Sequence, residues 1–382
     1  MSSRPLSPDE ATGRLHALLS RGHATAREVL ALEYGDAPVP GLHVDPLFDV
    51  PTPLHFHASF HEGDGIECSH NKGWNPWDVL KPHRIEARLS SDESLLPYQI
   101  GHVSHEAFHA LHQEACLLDA LVAPERYPAQ SGKDIFNGFH PSLETLVRAG
   151  ETEQKTAARY QDLDALLHKG GANGDYENIY YLQESELLAR MNTLIASQAG
   201  KEGRIPTSRA ELEPIAALIR DEEATRPRSG HTFTAREAAW NLREGVLDKI
   251  PEARRERFYR DVLPELYGST LEVLGDPQGR AKMGLEPGPV YARNAAKRLL
   301  YETAHPDQAW PAEKWSQMIA KLEPDTLKNV LWLATREKNP TALPLLLEAH
   351  RQAWRPKMEP GQFAGQRVAP EPVRQAGVNR SR

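Results

Sequence analysis

The chain has 382 residues, of which 40% are hydrophobic and 26% are charged, and its formal net charge is −8. This composition is typical of a globular protein with a sizeable core, and the negative balance provides no electrostatic basis for binding nucleic acid. No stretch approaches the roughly 18 consecutive apolar residues of a membrane helix, and the start of the chain lacks the apolar core of a secretory signal. We therefore expect a cytoplasmic protein with no membrane partner.

Residues 1–45 are predicted to form an N-terminal helical attachment, because apolar residues recur at helical spacing before a proline-rich stretch. Two later segments, 54–60 and 84–89, alternate apolar and polar residues, which is typical of half-buried strands. We interpret them as a small antiparallel sheet, with the strand that ends at Leu89 at its edge. From Pro97 to about Leu121 the spacing becomes helical, so residues 46–200 are predicted to form one α+β domain.

Helical spacing continues through residues 201–354, a predicted helical C-terminal region in which Trp310, Trp315 and Trp332 pack in the core. Residues 355–382 contain four prolines and three glycines but little apolar material, so they are predicted to be a disordered tail. The predicted fold is therefore α+β: a small antiparallel sheet packed on one long helix, followed by a mostly helical region.

Histidines are concentrated in the first third of the chain, and two of them define a His-Glu-x-x-His (HExxH) motif at residues 105–109. His105 and His109 lie four residues apart, so both imidazoles face one side of the predicted helix and can share one cation. Glu106 lies on the flank of that face, where a carboxylate can accept a proton from metal-bound water. Because imidazole suits zinc, and because Cys68 and Cys116 form no CxxC pair, Zn²⁺ is the expected cofactor.

A catalytic zinc normally takes a third protein ligand, and the sequence offers several. Glu186 shares a helical stripe with apolar residues, where a buried carboxylate is costly unless it meets a cation, so it is the favoured candidate. Its alternative role is a salt bridge to Arg190, four residues on. The other candidates are Glu184, Glu144 and His112. His112 is disfavoured because three ligands on one straight helix stack in a row.

These motifs resemble a known family. The segment from Val103 to Leu111 is similar to the active-site helix of zincin-like metallopeptidases of the glutamate-ligand (gluzincin) type. The segment from Glu186 to Arg190 is similar to the ExxAR segment of several bacterial and mobile-element subfamilies, and the resemblance covers at most residues 50–200. It implies zinc-dependent hydrolysis of a peptide bond in a protein or peptide substrate, with zinc-activated water and Glu106 as general base.

The tetrahedral oxyanion of such a reaction needs a further hydrogen-bond donor, and Tyr180, Tyr181 and His140 are the candidates. Two other functions are open. One is a catalytically silent zincin-like module that binds or scaffolds a partner. The other is a bacterial effector whose peptidase activity cuts a host protein. The intact HExxH motif argues against the silent module, because a scaffold has no need of the base.

Overall fold

The computed structural model describes most of the chain. The described residues are 6–35, 41–62, 66–92, 95–124, 182–221, 234–247, 252–286 and 288–354, with Phe136, Gly138, His140, Ser142, Leu143, Leu146 and Ile250. The predicted disordered tail, residues 355–382, lies outside them. A small sheet accompanies many helices, so the predicted α+β class is confirmed. Among the described helices, none combines the length and the apolar content that crossing a membrane requires.

Four strands form one sheet in the order β1-β2-β4-β3. Their bounds are β1 (His23–Thr25), β2 (Pro53–His61), β3 (Glu67–Asn71) and β4 (His83–Ser90). The two predicted strands, β2 and β4, are neighbours that run parallel, whereas β1 and β3 are antiparallel to β2 and β4 respectively. The sheet is therefore mixed rather than wholly antiparallel. The alternation of apolar residues indicates which face is buried, but it carries no information on strand direction.

The edge of the sheet differs from the prediction. β4 lies between β2 and β3, so the expectation that the strand ending at Leu89 forms an edge is wrong. The edge on that side is β3, a five-residue strand with no fully buried side chain. The sequence suggests residues 65–68, between the two predicted strands, as a possible third strand, and β3 overlaps this segment. Its apolar signal is weak and does not show that it lies outside β4.

The helices begin where the sequence provides caps. α1 (Pro8–Arg21) and α2 (Ala26–Tyr34) each start with a capping box, formed by Ser7 with Glu10 and by Thr25 with Glu28. The long helix α3 (Leu96–Val122) follows the sheet and contains the HExxH motif. The remaining α-helices are α4 (Glu184–Glu202), α5 (Glu213–Arg220), α6 (Ala235–Gly245), α7 (Leu263–Val273), α8 (Pro277–Lys282), α9 (Val290–Ala304), α10 (Ala312–Ile319), α11 (Pro324–Arg336) and α12 (Ala342–Ala353). Short helical segments lie at Pro76–Asp78, Arg209–Leu212, Glu252–Arg254, Arg255–Arg257, Phe258–Val262 and Pro306–Gln308.

Two groups of buried apolar side chains meet along α3. Val103 and Phe108, in its first half, belong to a core shared with α1, α2, the sheet and α4 to α7. Leu117 and Val122, near its C-terminal end, belong to a second core shared with α9 to α12. The long helix therefore connects the two cores, and its position depends on elements from both ends of the chain.

The three C-terminal tryptophans divide into two groups. Trp310 and Trp315 are buried, as predicted, whereas Trp332 is 54% exposed, so its predicted place in the core is wrong. Trp332 instead lies beside Trp77, and the Arg336 guanidinium lies 3.3 Å from the centre of the Trp77 ring. A tryptophan at the surface can be held by another ring and a cation, which helical periodicity does not reveal.

Candidate metal centre

Three side chains on two helices bring their ligand atoms together. His105 and His109 lie one turn apart on α3, and Glu186 lies in the first turn of α4. The Nε2 atom of His109 is 3.0 Å from Nε2 of His105 and 3.0 Å from one oxygen of Glu186. The other oxygen of Glu186 is 3.4 Å from Nε2 of His105. Among the described residues, this is the one cluster of His, Cys, Asp or Glu side chains that can hold a metal ion.

The spacing of these atoms can be compared with a known coordination geometry. Zinc binds nitrogen and oxygen ligands at about 2.0–2.1 Å, so two corners of a tetrahedral site lie about 3.3 Å apart. The three separations of 3.0, 3.0 and 3.4 Å in the cluster are close to that value. The cluster therefore offers three corners of a tetrahedron, and the fourth is left for water or substrate.

The surroundings of the cluster favour a cation. His105, His109 and Glu186 are each at most 6% exposed, so water screens them poorly. Burial opposes ionisation of Glu186, but the imidazoles of His109 and His105 hold its pKa well below the usual range. Burial lowers the pKa of His105 to about 3, whereas the Glu186 carboxylate outweighs burial at His109 and raises its pKa. The buried carboxylate therefore favours positive charge at the imidazoles, and a metal ion at the centre of the cluster can supply it.

Packing of the two helices explains why these side chains meet. Ala107 and Phe108 face the core from the opposite side of α3, so the histidines face α4. On α4, Leu187 and Met191 are buried in the same core, which turns Glu186 towards α3. Arg190 also approaches Glu186, at 3.8 Å, so the predicted ion pair accompanies the closer histidine contacts.

Glu106 lies beside the cluster in a half-buried position. Burial raises its pKa to about 7, although the positive charge of His109 and a hydrogen bond from the backbone of His70 lower it. His70 belongs to the edge strand β3, so the carboxyl group of Glu106 lies between the histidine cluster and that strand. A carboxyl group whose pKa is near 7 can both accept and return a proton at neutral pH.

The other predicted site residues lie elsewhere. Glu184, His112 and His140 line a cavity next to the cluster and contribute no atom to it. Glu144, Tyr180 and Tyr181 lie outside the described residues. His112 lies three residues beyond His109 on α3, the position for which three ligands in a row on one helix made it the less favoured candidate.

A chain of hydrogen bonds that no sequence motif predicts runs from Lys72 to His70. The Lys72 ammonium donates to the carbonyls of Val79 and Lys81 and lies 3.1 Å from Nε2 of His83. Nδ1 of His83 is in turn 2.7 Å from Nε2 of His70. Because a lysine ammonium can only donate, Nε2 of His83 accepts the hydrogen bond from Lys72. The ring proton of His83 is therefore on Nδ1, which donates a hydrogen bond to Nε2 of His70. These contacts depend on the pairing of β3 with β4, which no local motif indicates.

Comparisons with known proteins add no assignment. No family model matches the chain, and searches of curated proteins and of solved structures find no match.

Proposed function

We propose that this protein is a zinc-dependent metallopeptidase. The observation that carries the proposal is the convergence of His105, His109 and Glu186 at tetrahedral spacing, with Glu106 beside them. Two neutral imidazoles and one carboxylate are a donor set that suits zinc, and three protein ligands are typical of catalytic rather than structural zinc sites. The resemblance to gluzincin metallopeptidases supports the same assignment.

The roles of the side chains follow from their positions. Bound zinc supplies a Lewis acid that activates water and polarises the substrate carbonyl. His105, His109 and Glu186 hold the metal, and the buried surroundings keep them fixed. Glu106 takes the proton of the attacking water and then gives a proton to the amine that leaves when the peptide bond breaks. The position of Glu106 beside the ligand cluster places its carboxyl group where both transfers occur.

The edge strand β3 offers a place for the substrate. Its neighbour in the sheet is β4, and its backbone borders Glu106 through His70. An extended peptide that adds to this edge by backbone hydrogen bonds brings a peptide bond next to the base. Such binding requires no particular substrate sequence, so selectivity depends on other contacts.

Metal analysis of purified protein tests the proposal. We expect one zinc per chain in the wild type and in Glu106→Ala, and loss of zinc in His109→Ala and Glu186→Ala. Glu184→Ala is the matched control, because Glu184 lies two residues from Glu186 on α4 but outside the cluster. A wild-type protein that takes up no zinc when zinc is supplied contradicts the proposal.

Hydrolysis is tested separately from binding. Zinc-loaded wild type is incubated with a mixture of unstructured peptides, and new termini are identified by mass spectrometry. Glu106→Ala, which retains its metal, is expected to cut at least about 1,000-fold more slowly, since it lacks the base and its proton transfers. Zinc-loaded protein that cuts nothing favours the competing hypothesis of a silent binding module.

A further inference from the structure

A cavity of about 390 Å³ lies next to the candidate metal centre. It begins one helical turn beyond His109, at His112 and Cys116 of α3, and it extends between α4 and α7 to the segment that precedes α9. Ligand pockets begin at about 300 Å³, so the space accommodates a large side chain. α3 and α4 contribute both the ligand cluster and part of the cavity wall, so the cavity lies close to the cluster.

Among the described residues that line the cavity, acidic side chains outnumber arginines. Arg293 pairs with Asp119 at 2.6 Å and with Glu272 at 2.9 Å, and Arg280 pairs with Glu272 at 3.2 Å. The two arginines are therefore already matched by two carboxylates. Glu184 and Glu265 also line the cavity, and within the described part of the chain neither forms an ion pair with a lysine or an arginine.

Glu184 differs from Glu265 in its contacts. Glu265 accepts a hydrogen bond from the Ser142 hydroxyl and lies 3.8 Å from Nδ1 of His140. The carboxylate of Glu184 has no hydrogen-bond donor or cation in contact with it among the described residues, although its residue is only partly exposed. A carboxylate shielded from water in this way is stabilised by a cation that enters the cavity.

Two buried histidines also belong to the lining of the cavity. His112 and His140 are 4% and 6% exposed, and the Nδ1 atom of each lacks a hydrogen-bond partner within the described residues. Buried polar atoms are nearly always bonded to protein, water or ligand. Together with the charged residues, the two imidazoles give the cavity a largely polar wall, which suits a polar occupant better than an apolar side chain.

We propose that this cavity is the specificity pocket of the enzyme and that it accepts a cationic side chain, lysine or arginine, of the substrate. The inference rests on the proposed peptidase function. Glu184 pairs with the cationic group, and His112 and His140 provide further polar contacts along the wall. The pocket thereby selects the residue next to the bond that is cut, a selection that backbone pairing with β3 does not provide.

The test measures binding, so it does not depend on turnover. Zinc-loaded Glu106→Ala protein is titrated by calorimetry with N-acetylated hydroxamates of arginine, norleucine and glutamate. The hydroxamate group binds zinc equally in all three, so differences in affinity report on the cavity. We expect the arginine compound to bind at least about tenfold more tightly than the norleucine compound, as a buried charge pair worth about 1.4 kcal/mol requires.

Variants then assign the preference to one residue. Glu184→Gln, in the same background, is expected to abolish the preference for arginine, whereas Glu286→Gln, at the exposed rim of the cavity, retains it. The inference is overturned, while the zinc centre stands, if the arginine and norleucine compounds bind equally or if the glutamate compound binds most tightly. It is also overturned if zinc-loaded protein binds none of the hydroxamates. A protein that takes up no zinc overturns the proposed function, and this inference with it.

Discussion

Glu186 contacts both the histidine pair and Arg190, which the sequence presents as alternative partners. Its oxygens lie 3.0 Å from His109 and 3.4 Å from His105, and Arg190 approaches one of them at 3.8 Å. A cationic side chain near a ligand carboxylate fixes the orientation of that carboxylate, as outer partners of metal ligands commonly do. The ion pair with Arg190 is therefore compatible with a ligand role for Glu186, and spacing along one helix cannot separate the two.

A second buried carboxyl group gives a prediction at the scale of one residue. Glu33 of α2 accepts a hydrogen bond from the Ser104 hydroxyl, next to the motif, and burial raises its pKa from 4.5 to about 7. Between these values the folded state binds more protons than the unfolded state, so the free energy of unfolding falls as pH rises. The loss amounts to about 3 kcal/mol at pH 8 relative to pH 4.5.

Urea unfolding at pH 5 and pH 8 checks this prediction. The Glu33→Gln variant has no carboxyl group to titrate at this position, so it does not lose the stability that the wild type loses as pH rises. We therefore expect the stability of the variant, relative to the wild type, to increase from pH 5 to pH 8. Glu28 of the same helix is the control: burial raises its pKa, but hydrogen bonds from Thr25 and Arg21 together outweigh burial, so the pKa is lowered overall. The stabilisation by ionised Glu28 is complete above the pKa that this residue has in the unfolded chain. The stability of Glu28→Gln relative to the wild type should therefore not increase between pH 5 and pH 8. An identical pH dependence for wild type and Glu33→Gln contradicts the prediction.

The residues of the candidate centre were predictable to different degrees. His105, Glu106 and His109 follow from spacing alone, because they share one helix whose geometry is fixed. Glu186 required an argument from burial, since it meets the histidines only through the packing of α4 on α3. His70 and His83 had no local signal, because their contact depends on which strands pair. The cavity next to the centre is also formed by tertiary packing, so no sequence motif indicated it.

At the scale of elements, a buried ion pair fixes α9 to the long helix. The Lys297 ammonium of α9 lies 2.6 Å from a carboxylate oxygen of Glu114 on α3, and it also donates to Val50 and Thr52. Each of the three ammonium protons therefore has an acceptor. This contact joins the segment before β2, the motif helix α3 and the C-terminal helix α9 at one point.

We expect the two charges to be strongly coupled. Lys297→Met leaves a buried, uncompensated carboxylate on Glu114, and it is expected to cost about 3–5 kcal/mol of unfolding free energy. Glu114→Gln should cost a similar amount, whereas the double variant should cost clearly less than the sum of the two. Chemical denaturation of the four proteins completes the cycle. Additive costs contradict the coupling.

Two tryptophans allow burial in the core to be compared with ring contacts at the surface in this region. Trp315 is fully buried in the second core, whereas Trp332 lies on the surface beside Trp77. Trp315→Ala is expected to cost about 3–5 kcal/mol, as removal of a large core side chain does. Trp332→Ala should cost about 1 kcal/mol, the scale of an exposed cation–π and ring contact. Equal costs, measured by denaturation, contradict the assignment of Trp332 to the surface.

At the scale of the whole molecule, the motif helix lies in both cores. Leu117 and Val122 of α3 pack against α9 to α12, although the resemblance to zincins covers only residues up to about 200. A chain that ends after Ser197 therefore exposes these apolar side chains and loses the Lys297 contact. We expect it to lose cooperative thermal unfolding and to bind zinc more weakly, measured by circular dichroism and elemental analysis.

A second truncation is the control for the first. A chain that ends after Trp354 keeps every described contact, so we expect it to unfold at the same temperature as the full chain and to retain its zinc. Cooperative unfolding and full zinc content of the shorter chain would show that the C-terminal helices are accessory. The predicted domain boundary at residue 200 follows the sequence pattern, whereas the packing around α3 involves residues from both sides of that boundary.

The anchoring of α3 by α9 has a consequence for synthesis of the protein. Glu114 and Lys297 are separated by 183 residues, so the ribosome needs about 10–40 s to reach the second after making the first. During that interval the nascent chain contains the complete HExxH motif, while α9 to α12, against which the second half of α3 packs, are still missing. The helix that carries His105 and His109 therefore reaches its full packing only after the C-terminal helices have been made.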